Sequence, residues 1–220
     1  MAIIVVGGST KGAGKTTLVC GLIAALPEFR WNAVKITTHV HDDYPPIWEE
    51  KLPGDDSDTA RYLAAGAIRA FLATPPTQPL TAQPNRPPLL DQLLDQLWPN
   101  FGRGTNLIFE SNSVVHHVRP NVCLMIHAGP KRELPLPQRK PSFLAALNHA
   151  DALVAASTAD RVIPDGLTLP GQPPKPVFHL AALARISPQM LAWIRPLRAP
   201  AQPLPAKSDP PQPEAPPPHS

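Results

Sequence analysis

Residues 7–17 read GGSTKGAGKTT and follow a short apolar run, AIIVV, at positions 2–6. A buried strand, a glycine-rich turn and a helix opening on Gly14-Lys15-Thr16-Thr17 make a phosphate-binding loop. Gly12 and Gly14 let the backbone turn with positive φ and come close to phosphate oxygens, so that successive N–H groups and the helix start face the anion. Lys15 reaches the β- and γ-phosphate oxygens as a point charge, and the Thr16 hydroxyl completes a Mg²⁺ shell. The stretch expected to hold a nucleotide is therefore Thr10, Lys11, Gly12, Ala13, Gly14, Lys15, Thr16 and Thr17. In the full pattern G-x-x-x-x-G-K-S/T, the leading glycine falls on Ser9, with Gly7 and Gly8 just before it.

Outward from the loop, apolar runs alternate with helical patterns. A helix is predicted over 14–26, ended by Pro27, and a second strand over 31–37. The acidic, hydroxyl-rich stretch at Ser57 and Asp58 suits a helix start, and the periodicity DTARYLAAGAIRAFLA carries that helix through 58–73. A proline-rich connection (75–88) leads to a short helix, PLLDQLLDQLW, and then to strands at 106–110, 122–126, 152–156 and 176–180. Several are unbroken aliphatic runs, the mark of strands covered on both faces. The expected fold is a three-layer α/β phosphate-loop domain, a mostly parallel sheet flanked by helices, over residues 1–195. Residues 196–220 hold ten of the chain's 32 prolines and almost no apolar periodicity, so they read as a disordered, proline-rich tail.

A net charge of +3 with no basic face gives nucleic-acid binding no support beyond the phosphate loop. No apolar run approaches a membrane span, and Cys20 and Cys123 sit in apolar segments as reduced core residues, so a cytoplasmic protein is expected.

Ligands of a parallel sheet lie beyond the carboxyl ends of its strands. There the second strand is followed by His39, His41, Asp42 and Asp43. The LIFE strand ends in Glu110, followed by Ser111-Asn112-Ser113 and His116-His117. An acid ending a hydrophobic strand near a phosphate loop is the usual partner of Mg²⁺, which makes Glu110 the first candidate metal residue beside Thr16. Asp42 or Asp43 can hold the metal or orient a nucleophile.

The order of these pieces resembles the MobB-type molybdopterin-guanine dinucleotide biosynthesis adaptors. The matching pieces are Gly14-Lys15-Thr16-Thr17-Leu18, Val34-Lys35, His39 to Asp42, Asp58-Thr59 through Ala65-Gly66-Ala67, and Glu110, within roughly the first 130 residues. The resemblance implies a P-loop fold of the signal-recognition and MinD-related class, Mg²⁺-dependent nucleotide binding, weak hydrolysis and often a homodimer. It also implies service to a nucleotidyltransferase or another molybdoenzyme-maturation protein. Three departures stand out: Ser rather than Gly follows Glu110, Thr10 replaces the lysine of the MinD-like loop, and Ser157-Thr158-Ala159-Asp160 keeps only the aspartate of the guanine-selecting N-K-x-D. Asp160 points to GTP, and the missing Asn and Lys leave ATP beside it.

Two other functions are compatible with the residues. One is an ATP-dependent kinase or ligase of the dethiobiotin synthetase type, with Arg61, Ser111, Asn112, Ser113 and Arg119 as substrate groups. The other is a nucleotide-gated metallochaperone using His39, His41, His116 and His117. In every case the expected mechanism is positioning plus charge neutralisation: Lys15 and the loop amides hold the developing charge, Thr16 and Glu110 hold Mg²⁺, and Asp42 or Asp43 places the nucleophile.

Overall fold

A computed structural model describes residues 1–37, 45–75, 89–127, 141–155, 174–180 and 185–198. Strand β1 (Ile3–Gly8) is buried along its whole length and runs straight into the phosphate loop and helix α1 (Lys15–Ala25). The chain continues through β2 (Asn32–Ile36), β3 (Ile47–Glu50), α2 (Asp58–Ala64), β4 (Arg69–Ala73) and α3 (Leu89–Leu97). It completes the domain with β5 (Leu107–Glu110), β6 (Val122–His127), α4 (Pro141–His149), β7 (Ala152–Ala155), β8 (Val177–His179) and α5 (Pro188–Ile194). The eight strands form one sheet in the order β3-β4-β2-β5-β1-β6-β7-β8, parallel throughout except for the antiparallel edge pair β3–β4.

Alternate residues of each strand feed opposite layers, as the period of two requires. Ile4, Val6, Ile108, Leu124 and Val154 pack with Leu18, Leu22 and Ile23 of α1, Tyr62 of α2 and Met190 and Ile194 of α5. Ile3, Val5, Phe109, Met125 and Leu153 pack with Leu93, Leu94 and Leu97 of α3 and Phe143, Ala146 and Leu147 of α4. Both faces of the sheet are thus covered, which is why the central strands read as unbroken apolar runs.

The expected helix over 58–73 is in fact two elements. Ser57 caps α2, its Oγ accepting from the Ala60 N–H at 3.0 Å. The helix stops because Gly66 adopts φ 104°, with its N–H bonded to the Leu63 carbonyl (2.9 Å) and the Ala67 N–H to that of Tyr62 (3.0 Å), a Schellman closure. Residues 69–73 then turn from helix-like composition to a strand, because β2 offers them a full ladder from Asn32↔Arg69 to Ile36↔Ala73. Strand β3 and helices α4 and α5 are further elements beyond those expected from the periodicity.

Candidate functional site

The loop begins with a close-packing requirement. A Cβ on Gly7 would lie 2.4 Å from Met125 Sδ and 2.7 Å from Asn112 Oδ1, and one on Gly8 would lie 2.8 Å from Lys15 Cγ. Asn112 clasps Gly8 from both sides, its Oδ1 accepting from the Gly8 N–H (2.8 Å) and its Nδ2 donating to the Gly8 carbonyl (3.0 Å). Glycines are therefore needed at 7 and 8, and position 9, where the pattern has its leading glycine, tolerates a buried serine.

Beyond Ser9 the chain turns through Gly12 (φ 76°) and Gly14 (φ 99°), and Gly14 caps α1. The first bond within the helix runs from the Leu18 N–H to the Gly14 carbonyl (2.9 Å), so the amides of 15–17 lie ahead of the intrahelical ladder, at the end of a helix that attracts anions. Lys15 Nζ reaches across the turn to the Thr10 carbonyl at 3.1 Å. The Thr10 hydroxyl is buried against the loop without a hydrogen-bond partner.

Glu110 ends β5, the neighbour of β1, opposite Val6 on one side and Lys35 of β2 on the other. It is 4% exposed. A carboxylate so buried needs compensation, and three groups supply it. Thr16 Oγ1 donates to its Oε2 at 2.8 Å, and the Tyr62 hydroxyl donates to the same oxygen. Lys35 Nζ lies 3.8 Å from Oε1 and is ion-paired with Asp58, which in turn has Arg61 Nη1 at 3.7 Å. The phosphate-loop hydroxyl and the strand-end carboxylate therefore meet directly beside the anion-binding turn. This is a P-loop NTPase fold.

Burial, reinforced by the Glu110 charge, raises the Tyr62 pKa well above its ordinary value, which keeps this phenol a donor. One turn along α1 from Thr16, the Cys20 thiol donates to the Arg61 carbonyl at 3.6 Å; burial raises its pKa, Arg61 partly offsetting. Lys35 and Tyr62 join Glu110 only in the fold, since the sequence gives neither a role at the site. The visible clue to Lys35 was its place at the end of an apolar strand, whereas Tyr62 resembles any apolar-stripe residue of an amphipathic helix.

The loop after β5 is held by its own side chains. Ser111 Oγ accepts from the Ser113 and Val114 N–H groups (3.1 and 3.3 Å), which starts a 3-10 turn over Val114–His116. His116 and His117 then part: the first sets its ring edge-on to His149 at 5.2 Å, and Nδ1 of the second meets Asp91 Oδ1 at 2.6 Å. Among the described residues, no group of three or more His, Cys, Asp or Glu side chains is placed to hold a metal ion. His39, His41, Asp42, Asp43 and Asp160 lie outside the described residues. Of the expected nucleotide-contacting set, the structure brings together the loop from Thr10 to Thr17 and Glu110. No described helix is long and apolar enough to cross a membrane.

No protein-family model matches the chain, and neither does any curated protein. Among solved structures it is similar to a MobB protein homolog from Bacillus stearothermophilus, at 18% identity and a TM-score of 0.42, covering 90% of this chain and 99% of that one. It is similar to Bacillus subtilis MobB at 16% identity and a TM-score of 0.43, covering 90% and 98%. LpxK from Aquifex aeolicus, solved in complex with ATP, is similar at 16% identity and a TM-score of 0.48, covering 87% of this chain and 60% of that one. The fold class stands apart from these likenesses, on the strand order and the loop geometry.

Proposed function

We propose that this chain binds a nucleoside triphosphate with Mg²⁺ and acts as a MobB-like adaptor with weak hydrolytic activity in assembly of the guanine dinucleotide form of the molybdenum cofactor. The observation that carries the nucleotide reading is the meeting of Thr16 Oγ1 with the buried Glu110 carboxylate beside a turn built on two positive-φ glycines. The donors fit the group: a hydroxyl and a carboxylate are the oxygen ligands a hard divalent cation takes, and the Thr10 hydroxyl in the loop is buried without a hydrogen-bond partner. Mg²⁺ held at Thr16 and Glu110 would supply neutralisation of the phosphate charge.

The chain's own groups divide the remaining work. Lys15, now on the Thr10 carbonyl, would exchange that acceptor for phosphate oxygens, a charge-assisted and stronger bond. The amides at the start of α1 would hold the β-phosphate. Thr16 would hold the metal through its oxygen while its O–H keeps donating to Glu110, which makes Glu110 an orienting acceptor beside the metal. Asp42 or Asp43 would place the nucleophile, and Asp160 would favour guanine. The molybdenum connection and a homodimer rest on the sequence resemblance.

The test is a calorimetric titration of MgATP and MgGTP against the whole chain, with mass spectrometry of whatever co-purifies. Saturable binding to the wild type, abolished in Lys15→Ala, supports the reading, and equal affinity in the two proteins rejects it. Slow turnover stimulated by a nucleotidyltransferase supports the adaptor role. Rapid ADP release that depends on a small-molecule acceptor replaces it with phosphoryl transfer.

A further inference from the structure

We infer that helix α2 is coupled to the metal side of the loop through Tyr62, so that binding of a Mg²⁺–nucleotide complex and ordering of α2 reinforce one another. The inference rests on the nucleotide-binding reading above and adds to it a route by which the bound state reaches another surface of the domain.

Three contacts tie α2 to the loop region. The Tyr62 hydroxyl and the Thr16 hydroxyl end on the same oxygen of Glu110, so the side chain that orients the metal ligand is itself oriented by α2. Asp58, in the first turn of α2, holds Lys35, whose ammonium is 3.8 Å from the other Glu110 oxygen. The Arg61 carbonyl accepts from Cys20, on α1. The opposite side of the helix start is bound to the sheet edge, where Glu50 Oε2 accepts from Ser57 Oγ (3.1 Å) and Thr59 Oγ1 (3.2 Å). A seven-residue helix has little stability of its own and depends on such contacts.

With a cation held on its oxygen, Thr16 would be a stronger donor to Glu110 and would hold that carboxylate more firmly in place. A carboxylate already held in one position loses less freedom on accepting from Tyr62, and by linkage a well-held Tyr62 would favour the cation in the same measure. Tyr62 is thus a positioning residue, and burial keeps it protonated in this role.

The experiment compares MgATP and MgGTP affinities with those of the same nucleotides in EDTA, and follows hydrogen exchange of the α2 amides in each condition. In the wild type, Mg²⁺ tightens binding, and the 58–65 amides exchange several-fold more slowly with Mg²⁺–nucleotide than with nucleotide alone. In Tyr62→Phe the ratio of affinities with and without Mg²⁺ falls about tenfold, the cost of a hydrogen bond to a charged acceptor, and the extra protection of α2 disappears. Asp58→Asn, which frees Lys35 without touching the ring, reduces both effects in the same direction. A Tyr62→Phe protein that melts lower but keeps the wild-type ratio and protection shows a packing role alone and overturns the coupling. Metal-dependent wild-type binding with no change in α2 exchange also overturns it. A wild type that binds no nucleotide overturns this inference and the proposed function together.

Discussion

The two ends of the sheet use polar side chains to different effect. At the amino ends, Asn and Asp side chains finish on backbone. Asn106 Oδ1 accepts from the Ala2 N–H, Asn121 Oδ1 from the Ile3 N–H and Asp151 Oδ2 from the Cys123 N–H, each at 2.7 Å, and Asn106 Nδ2 donates to the Phe29 carbonyl at 2.5 Å. The stacked rings of Phe29 and Trp31, 4.8 Å apart, complete this end. At the carboxyl ends, Asn112 and Ser111 likewise finish on backbone, but around Glu110 side chains meet side chains, beside the start of α1. One end satisfies the backbone of the strands, whereas the other gathers charge that strands alone cannot use.

Substitutions should separate the two ends. The largest effect belongs to Lys15→Ala, expected to weaken nucleotide binding about 100-fold or more through loss of two charge-assisted bonds, with far-UV circular dichroism and melting temperature near wild type. Unfolding on this substitution would show that the loop lysine holds the fold. Asn106→Ala should do the reverse: a loss of about 2 kcal/mol in urea unfolding, from stranding the Ala2 amide and the Phe29 carbonyl, with nucleotide affinity changed less than about twofold. An affinity loss matching the stability loss would mean that the ends communicate.

Two smaller effects lie away from both. The Arg69 guanidinium, 2.6 Å from Glu49, and Lys51, 2.7 Å away, hold the Glu49 carboxyl down at about 2 against an ordinary value of 4.5. A depressed acid contributes stability that is complete above 4.5 and is lost as pH falls towards 2. Solvent screening of this exposed cluster limits the contribution to about 1 kcal/mol, so Glu49→Gln should flatten the acid limb of the stability curve by that amount. The smallest effect concerns Cys123, whose thiol is pushed up to about 12 by burial, with Asp151 adding to the rise. Iodoacetamide at pH 8 should leave it unmodified in the folded chain and label it in urea, and equal labelling rates would mean that β6 opens readily.

The loop and Glu110 were legible because each is written in consecutive residues: Gly14-Lys15-Thr16 after an apolar strand, and an acid closing LIFE. The Ser57 cap was legible for the same reason. Strand β4 was not, since Arg, Ala and Leu suit a helix equally well and only the β2 ladder decides between them. Gly66 was the available signal, a glycine placed to stop α2 before the strand. Tyr62 stayed hidden because a phenol in an apolar stripe reads as core, and its acceptor lies 48 residues away. The family-like spacing from Asp58 to Ala67 gains a physical meaning: its first residue holds Lys35 and its glycine closes the helix.

The clasp of Asn112 on Gly8 joins residues 104 apart, and β1 has only β5 and β6 as neighbours. On the ribosome, β1 must therefore wait for partners that are synthesised more than 100 residues after it. The anion-gripping turn takes shape only once β5, β6 and Asn112 have emerged, so a nascent chain carries its loop sequence long before it carries a competent loop.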